Sequence, residues 1–447
     1  MLKKFNNILS YLKKDFDFME LLKGSSISFF LKIIGMLFGY AVMIFVTRVY
    51  GAEEWGVYSL CFTILSIAIL LPKFGFENSL VRIITELNFT SSKKEILNVL
   101  FKAILITVVI SLIVIFLLNY FSGYIVSEIL NQEELAVYIK PISIAIIPSV
   151  IIVIVSSTFQ AFKKTMLFMF FKTALINIIF FILLITFHLQ LWAISIFETY
   201  VLAIGISLII SIFFLRKTLK KIVIPKRNEN KRYSFKSIIN VSTPMLLSGS
   251  IALLMGWSDI LILSHYGTTK DVGIYNSTLK LTAIALISLA AVNAVTTPKF
   301  VEFYTKKDFL SLQTIVQKST KMMFFATAPM LILLIIFSKQ ILGFFGEEFI
   351  VGYLALIYLC ISKFVNTISG SVGYIMQMTD QQKTYQNIIL IAFFINVSLN
   401  FLLIPQYGFN GAAIATSIAM IFWNITLVFI IKKKLGFWTI YIPFITK

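Results

Sequence analysis

Long apolar runs, separated by short polar steps, recur along the whole chain. A helix needs roughly 17–25 apolar residues to cross a bilayer. On that measure twelve spans are predicted, at about 26–46, 56–76, 97–118, 136–158, 167–187, 191–213, 240–264, 274–296, 322–341, 350–378, 385–404 and 410–431. The runs are continuous rather than alternating every second residue, which excludes an outer-membrane barrel. Inside a bilayer the backbone must satisfy its own N–H and C=O groups, and a helix does so within one segment. The pattern therefore predicts an all-α polytopic membrane protein, and an even number of spans puts both termini on one side.

The charges in the polar steps assign the sides. The termini and one alternate set of connections hold thirty Lys and Arg residues. The opposite set holds three: Arg48, Lys270 and Lys339. By the positive-inside rule the termini and the basic set are cytoplasmic. The longest basic connection, 216–239, divides the chain into lobes at 26–215 and 240–431, with a cytoplasmic lead-in at 1–25 and a tail at 432–447. Pro225 in that connection stops a helix running on from the sixth span.

The two lobes repeat one another. Tyr50-Gly51, followed by Gly56-x-Tyr58, is matched 216–217 residues later by Tyr266-Gly267 and Gly273-x-Tyr275. At the same spacing Glu86 falls on Glu302 and Gln160 on Gln377. Since each lobe has six spans, both start on the cytoplasmic side, and the repeat is parallel. The doubled Tyr-Gly stretch is read as a tight external reversal, with Gly51 and Gly267 supplying the turn.

Composition sharpens the class. Of 447 residues, 59% are hydrophobic and 13% charged, against about 25% charged in a soluble domain. The net charge of +19 follows from topology and attraction to anionic lipid, so no nucleic-acid partner is expected. Cys61 and Cys360 lie in separate apolar runs, and the two histidines, His188 and His265, lie near loops. That pattern offers no Cys/His metal site and no disulfide framework, and no cofactor is expected. No GxSxG, GxxxxGK[ST] or HExxH signature occurs, and the protein is not expected to be an enzyme.

The candidate chemistry lies in the charges within the spans. Six lysines fall inside or at the edges of predicted spans, Lys32, Lys102, Lys140, Lys172, Lys280 and Lys363, against Glu198 and Asp259. A charge at the centre of a membrane helix costs about 2.5–3.5 kcal/mol on insertion scales, so such residues face a cavity or a partner. Lys102, Lys140 and Lys172 lie near helix ends, where snorkelling explains them. Lys363 is in mid-span, Lys32 in the inner third of span one and Lys280 in the outer third of span eight; these three are the candidate substrate-binding cations. Arg48 stands at the outer end of span one. Lys73 and Arg82 join the set if span two continues beyond Pro72. Asp259 is level with Lys280, so it either forms an ion pair there or, like Glu198, is a candidate for coupling to a proton or cation.

The stretches "FVTRVYGAEEWGVYSLCFTI", "KFGFENSLVRIITEL" and "INVSLNFLLIPQYGFNGAAIATSIAM" resemble the polysaccharide-biosynthesis (Wzx-type) flippases. These belong to the superfamily of the multidrug MATE exporters and the lipid II flippase MurJ. The resemblance runs from about residue 20 to 435. It implies a MATE-like arrangement of two six-helix lobes around a central cavity that opens to either side in turn. It also implies a substrate, an undecaprenyl-diphosphate-linked oligosaccharide moved to the outer leaflet of a bacterial cytoplasmic membrane. Expected partners are that lipid-linked unit, membrane lipids, a polysaccharide polymerase and sugar transferases, with the chain acting as a monomer. No family motif fixes the substrate-contacting cations, and the two extra spans of MurJ-like members are missing. The alternative is a MATE-like exporter of small cations, whose cavity would be lined with carboxylates. Six lysines against two acids favour an anionic substrate.

Overall fold

A computed structural model of the chain describes residues 16–441 apart from 91–92, 163, 191–193, 222–231, 286, 288, 290–291, 294–295, 297–298, 301–302, 305 and 380. The lead-in before residue 16, the middle of the basic linker, the end of the tail and Glu302, the repeat partner of Glu86, lie outside the described residues. Among those described there is no strand.

The fold is all-α. Its long helices are α1 (Phe16–Val49), α2 (Gly51–Ala68), the short α3 (Leu70–Lys73), α4 (Phe76–Thr90), α5 (Lys93–Tyr120), α6 (Ile139–Ala161), α7 (Leu175–Leu189) and α8 (Ile196–Lys221). They continue with α9 (Phe235–Tyr266), α10 (Thr269–Ala283), α11 (Phe309–Ile336), α12 (Tyr353–Ser369), α13 (Gln382–Tyr407) and α14 (Phe409–Leu435). Among the described residues nine helices are long and apolar enough to cross a membrane, or ten with one bent pair. The multi-pass class expected from the apolar runs is borne out. Of the two remaining predicted spans, 240–264 lies within α9, and 274–296 begins in α10 and runs into residues outside the described set.

The bent pair is α2 with α3 and α4, which meet at 43°. Pro72 explains the bend: its ring clashes with the carbonyl four residues back, at Ala68, where α2 ends. Thr107 Oγ1 donates to the Pro72 carbonyl at 3.2 Å, satisfying a group the bend leaves free. Phe74 (φ 46°) and Gly75 (φ 70°) then take left-handed conformations and close α3. Span two thus does continue past Pro72, through a bend.

By its internal contacts the chain forms two compact units. The first comprises residues 1–42, 64–120 and 137–247. Its core sets Phe76, Leu80, Ile83, Ile84 and Leu87 of α4 against Ile96, Val99, Leu100 and Ala103 of α5, the spacing of one apolar helix face. The second unit comprises 43–63, 121–136 and 248–447. In it Phe300, Val316, Ile375, Leu427, Val428 and Ile431 form a core. A hairpin of α13 and α14 closes through Gly411, whose added Cβ would lie 2.3 Å from the Leu403 carbonyl oxygen. Small residues allow this approach.

Within the second unit the doubled Tyr-Gly motif proves to be a crossing as well as a turn. A Cβ on Gly56 would lie 1.7 Å from the carbonyl oxygen of Thr269, and one on Gly273 would lie 2.2 Å from that of Ala52. The second glycine of each copy therefore rests on the backbone of the other copy, and α2 and α10 meet with no side chain between them. The turns themselves differ. Gly51 has φ +88°, as a tight reversal requires, whereas Gly267 is outside the left-handed region. The expected turn role of Gly267 gives way there to Thr268, which starts α10 through a capping box with Asp271.

Because only hydrogen fits at the crossing, Gly56→Ala and Gly273→Ala should each destabilise the protein by about 1–3 kcal/mol, the cost of overpacking. Gly256→Ala, which meets nothing within 4 Å, should be neutral or stabilising by up to about 1 kcal/mol. Thermal unfolding in detergent, compared across the three variants, checks this.

Candidate functional site

Asp259 is 2% exposed and sits in a cage built from four helices. Tyr275 Oη of α10 donates to Oδ2 at 2.9 Å. From α13, Asn396 Nδ2 and Asn400 Nδ2 donate to Oδ1 at 3.0 and 2.7 Å. Thr416 Oγ1 of α14 completes the set. Asn396 and Asn400 are four residues apart, so both amides share one helix face. Ser258 Oγ holds the Asn396 Oδ1 at 3.0 Å. Asp259 and Asn400 lie seven residues before the ends of α9 and α13, and Tyr275 and Thr416 six and seven residues after the starts of α10 and α14, about 10 Å of helix in each case; Asn396 is one turn deeper. All four groups donate, matching a carboxylate that only accepts. The Asn400 Oδ1 is buried without a partner among the described residues.

The other expected positions are distributed differently. Lys280 places Nζ 4.2 Å from the centroid of the Trp55 ring, and Trp55 is fully buried with no partner for its indole N–H among the described residues. Lys363 is half-buried in the middle of α12, which packs on α10. No carboxylate among the described residues pairs with its ammonium. Lys32 is half-buried on α1. Glu198 closes a capping box at the start of α8, its Oε2 accepting from the Ser195 N–H at 3.1 Å and from Ser195 Oγ at 2.9 Å. The Ser195-x-x-Glu198 spacing is the signal for that cap.

Arg48 belongs to a clasp around the α2–α10 crossing. Its Nε and Nη2 donate to the carbonyls of Phe344 and Gly343 at 2.6 and 3.0 Å, at the C-terminal end of the short helix Ser338–Gly343. Such carbonyls favour a cation. Glu348 Oε1 accepts from the Ala52 N–H at 2.6 Å, capping α2, and Oε2 lies 3.0 Å from Lys270 Nζ. Gln132 Nε2 adds bonds to the carbonyls of Ser264 and Gly267 at 3.1 and 2.9 Å.

In the first unit Lys73 and Lys172 both approach Glu77, each at 3.6 Å. Arg82 is exposed near Tyr233, whose hydroxyl donates to Glu86 Oε2 at 2.6 Å. Burial, reinforced by Glu86, pushes the Tyr233 phenol up to about 12, with Arg82 opposing the shift.

Sequence reasoning picked out Asp259 but not its cage. Tyr275 was visible only as part of the doubled motif, and Asn396 and Asn400 only as in-membrane amides. Glu348 and Gln132 carry no local signal, because their partners are remote in sequence; Glu77 has one readable partner, Lys73 at i−4, and one remote one, Lys172.

The fold has counterparts among solved structures. The fold is similar to a lipid II flippase MurJ in an inward closed conformation, with a TM-score of 0.71 and 18% identity over 92% of this chain and 87% of that one. It is also similar to an inward-facing multidrug resistance MATE family transporter of the MOP superfamily, with a TM-score of 0.69 and 13% identity over 90% and 95% of the two chains. The pattern of the family described as polysaccharide biosynthesis protein matches residues 21–304, and that described as MatE matches 244–402. The chain belongs to the polysaccharide biosynthesis protein family. A relative from Haloferax volcanii, described as a probable low-salt glycan biosynthesis flippase, Agl15, is 26% identical over 193 residues. That match takes in 42% of this chain and 41% of the relative's length.

Asp259→Ala should leave four donors without their acceptor, at about 1–3 kcal/mol for each one that stays buried and unsatisfied. Glu198→Ala removes part of one helix cap and should cost about 0.5–2 kcal/mol. Chemical or thermal unfolding of both variants should therefore show the larger loss for Asp259→Ala.

Proposed function

We propose that the protein is a flippase that carries an undecaprenyl-diphosphate-linked oligosaccharide, a repeat unit of surface polysaccharide such as O-antigen, from the cytoplasmic to the outer leaflet. It resides in a bacterial cytoplasmic membrane, with both termini inside. The observation that carries this reading is Lys363, an ammonium in mid-helix with no carboxylate among the described residues to neutralise it. A diphosphate head entering the membrane loses its water, and charge-assisted bonds to lysines offset that loss. Lys363, Lys280 and Lys32 are the cations proposed to hold such a head, and the two six-helix lobes are 26–215 and 240–431. The family match and the glycan-flippase relative support the same substrate class.

Transport by alternating access requires closures that make and break, and no covalent step. The clasp of Arg48, Glu348 and Lys270 around the Gly56–Gly273 crossing is the closure on the outer side. Asp259 is the coupling carboxylate: a proton would neutralise it, and rotation of the Asn396 and Asn400 amides would turn their oxygens toward a bound cation. Glu198, held in its cap, has no coupling role. The chain works as a monomer, receiving its substrate from sugar transferases and passing it to a polymerase.

The MatE match over 244–402 and the buried Asp259 favour a second reading, a cation-coupled exporter of small molecules. One complementation experiment separates the two. In a strain lacking the protein, Lys363→Glu should insert at the normal level yet reduce surface polysaccharide by about tenfold or more, the effect of reversing one buried charge interaction. Normal polysaccharide with that variant overturns the role proposed for Lys363. Hypersensitivity of the deletion strain to cationic dyes, with polysaccharide intact, supports the exporter instead.

A further inference from the structure

Glu77 stands between two lysines, Lys73 four residues before it and Lys172 from a separate segment. Lys73 ends α3, and the left-handed pair Phe74–Gly75 turns the chain so that Glu77 falls in the first turn of α4. Lys172 lies in a π-turn, Phe170–Ala174, that precedes α7, and such single-turn π segments occur often at functional sites. Glu77 Oε1 is 3.6 Å from Lys73 Nζ, and Oε2 is 3.6 Å from Lys172 Nζ. Ser157 Oγ donates to the Glu77 carbonyl at 3.3 Å and steadies the backbone there. The Lys172 ammonium also lies 5.2 Å from the Phe168 ring centroid.

Three properties distinguish this triad from a fixed structural ion pair. Both contacts are longer than the roughly 2.7–2.9 Å of a charge-assisted hydrogen bond, so the carboxylate holds its partners loosely. All three side chains reach the surface, with exposures of 23% for Lys73, 48% for Lys172 and 37% for Glu77. The triad keeps a net positive charge. Its depth is also telling. Lys73 is 22 residues beyond Gly51, and Lys172 is 17 residues before Leu189. Those intervals correspond to about 33 and 26 Å of helix from the predicted external ends. A hydrocarbon core is about 30 Å thick, so the triad lies at the level of the opposite, cytoplasmic headgroups.

We propose that Lys73 and Lys172 are the entry station for a lipid diphosphate head, and that Glu77 is an internal counterion which that head displaces. This rests on the flippase reading and adds a basis for selectivity. A phospholipid phosphodiester carries one negative charge, the same as Glu77, and gains little by replacing it. A diphosphate carries more charge and more acceptor oxygens, so it takes both lysines from the carboxylate. Glu77 thereby screens the station against the phospholipids that surround it. Arg82, one helical turn further along α4, lies near Tyr233 and Glu86 and is not part of the exchange.

The test is lipid binding by the full chain in detergent, with undecaprenyl diphosphate and phosphatidylglycerol competing, read by native mass spectrometry. The wild type should prefer the diphosphate lipid. Glu77→Gln should bind phosphatidylglycerol more and reduce that preference by about tenfold, the scale of one charge-assisted pair. Lys73→Gln combined with Lys172→Gln should lose diphosphate binding, and the melting temperature of each variant reports whether it folds. An unchanged preference in a folded Glu77→Gln variant overturns the counterion role while leaving the flippase reading intact. Equal binding of both lipids by the wild type overturns the flippase reading and this proposal together.

Discussion

The contact on which the second compact unit depends is backbone against backbone. Gly56 and Gly273, from copies of one motif more than two hundred residues apart, bring α2 and α10 closer than any side chain would allow. Everything around that crossing serves to hold it. Glu348 caps the free N–H of Ala52 and meets Lys270, Arg48 reaches the carbonyls of 343 and 344, and Gln132 ties in the end of α9. These bonds are polar and run between separate segments. On the proposed function, these polar bonds are the ones that open and remake when the closure works.

The chemistry of the chain divides along the same lines. Asp259 is enclosed by neutral donors from three helices, whereas Lys363, in the middle of α12, has no carboxylate among the described residues paired with it. A carboxylate satisfied by hydrogen bonds can change its occupancy of a proton or cation with small local motions. A lysine with no carboxylate beside it keeps its attraction for an arriving anion. On the proposed function these are complementary parts: Asp259 responds to the coupling ion and the lysines hold the cargo. Tyr275 links them physically, since it belongs to α10, which carries Gly273 at the crossing and Lys280 further along.

Much of this was legible in the sequence, for reasons that particular residues make clear. Span positions followed from apolar run length alone, a signal that does not depend on partners. The doubled motif is visible as a repeat, and Gly51 makes the reversal that its Tyr-Gly context implies. What could not be read was that Gly56 and Gly273 touch, because spacing along the chain says nothing about which repeats pack together. Distance from a helix end makes Lys172 a snorkelling lysine in the sequence; the π-turn that brings it to Glu77 leaves no mark in a hydropathy pattern. Glu198 shows the converse case, a carboxylate in an apolar stretch whose Ser195 partner, three residues earlier, was a readable cap.

The proposed function requires the α2–α10 closure to open during transport. Ala52→Cys with Glu348→Cys places one thiol on each of the two segments that the Ala52 N–H to Glu348 Oε1 bond of 2.6 Å now joins, and the buried Cys61 and Cys360 can be replaced with alanine. In proteoliposomes holding a fluorescent lipid-diphosphate saccharide, joining the pair with a short cross-linker should stop translocation, and a reducible linker should restore it on cleavage. Translocation at an undiminished rate with the pair quantitatively cross-linked would contradict the account.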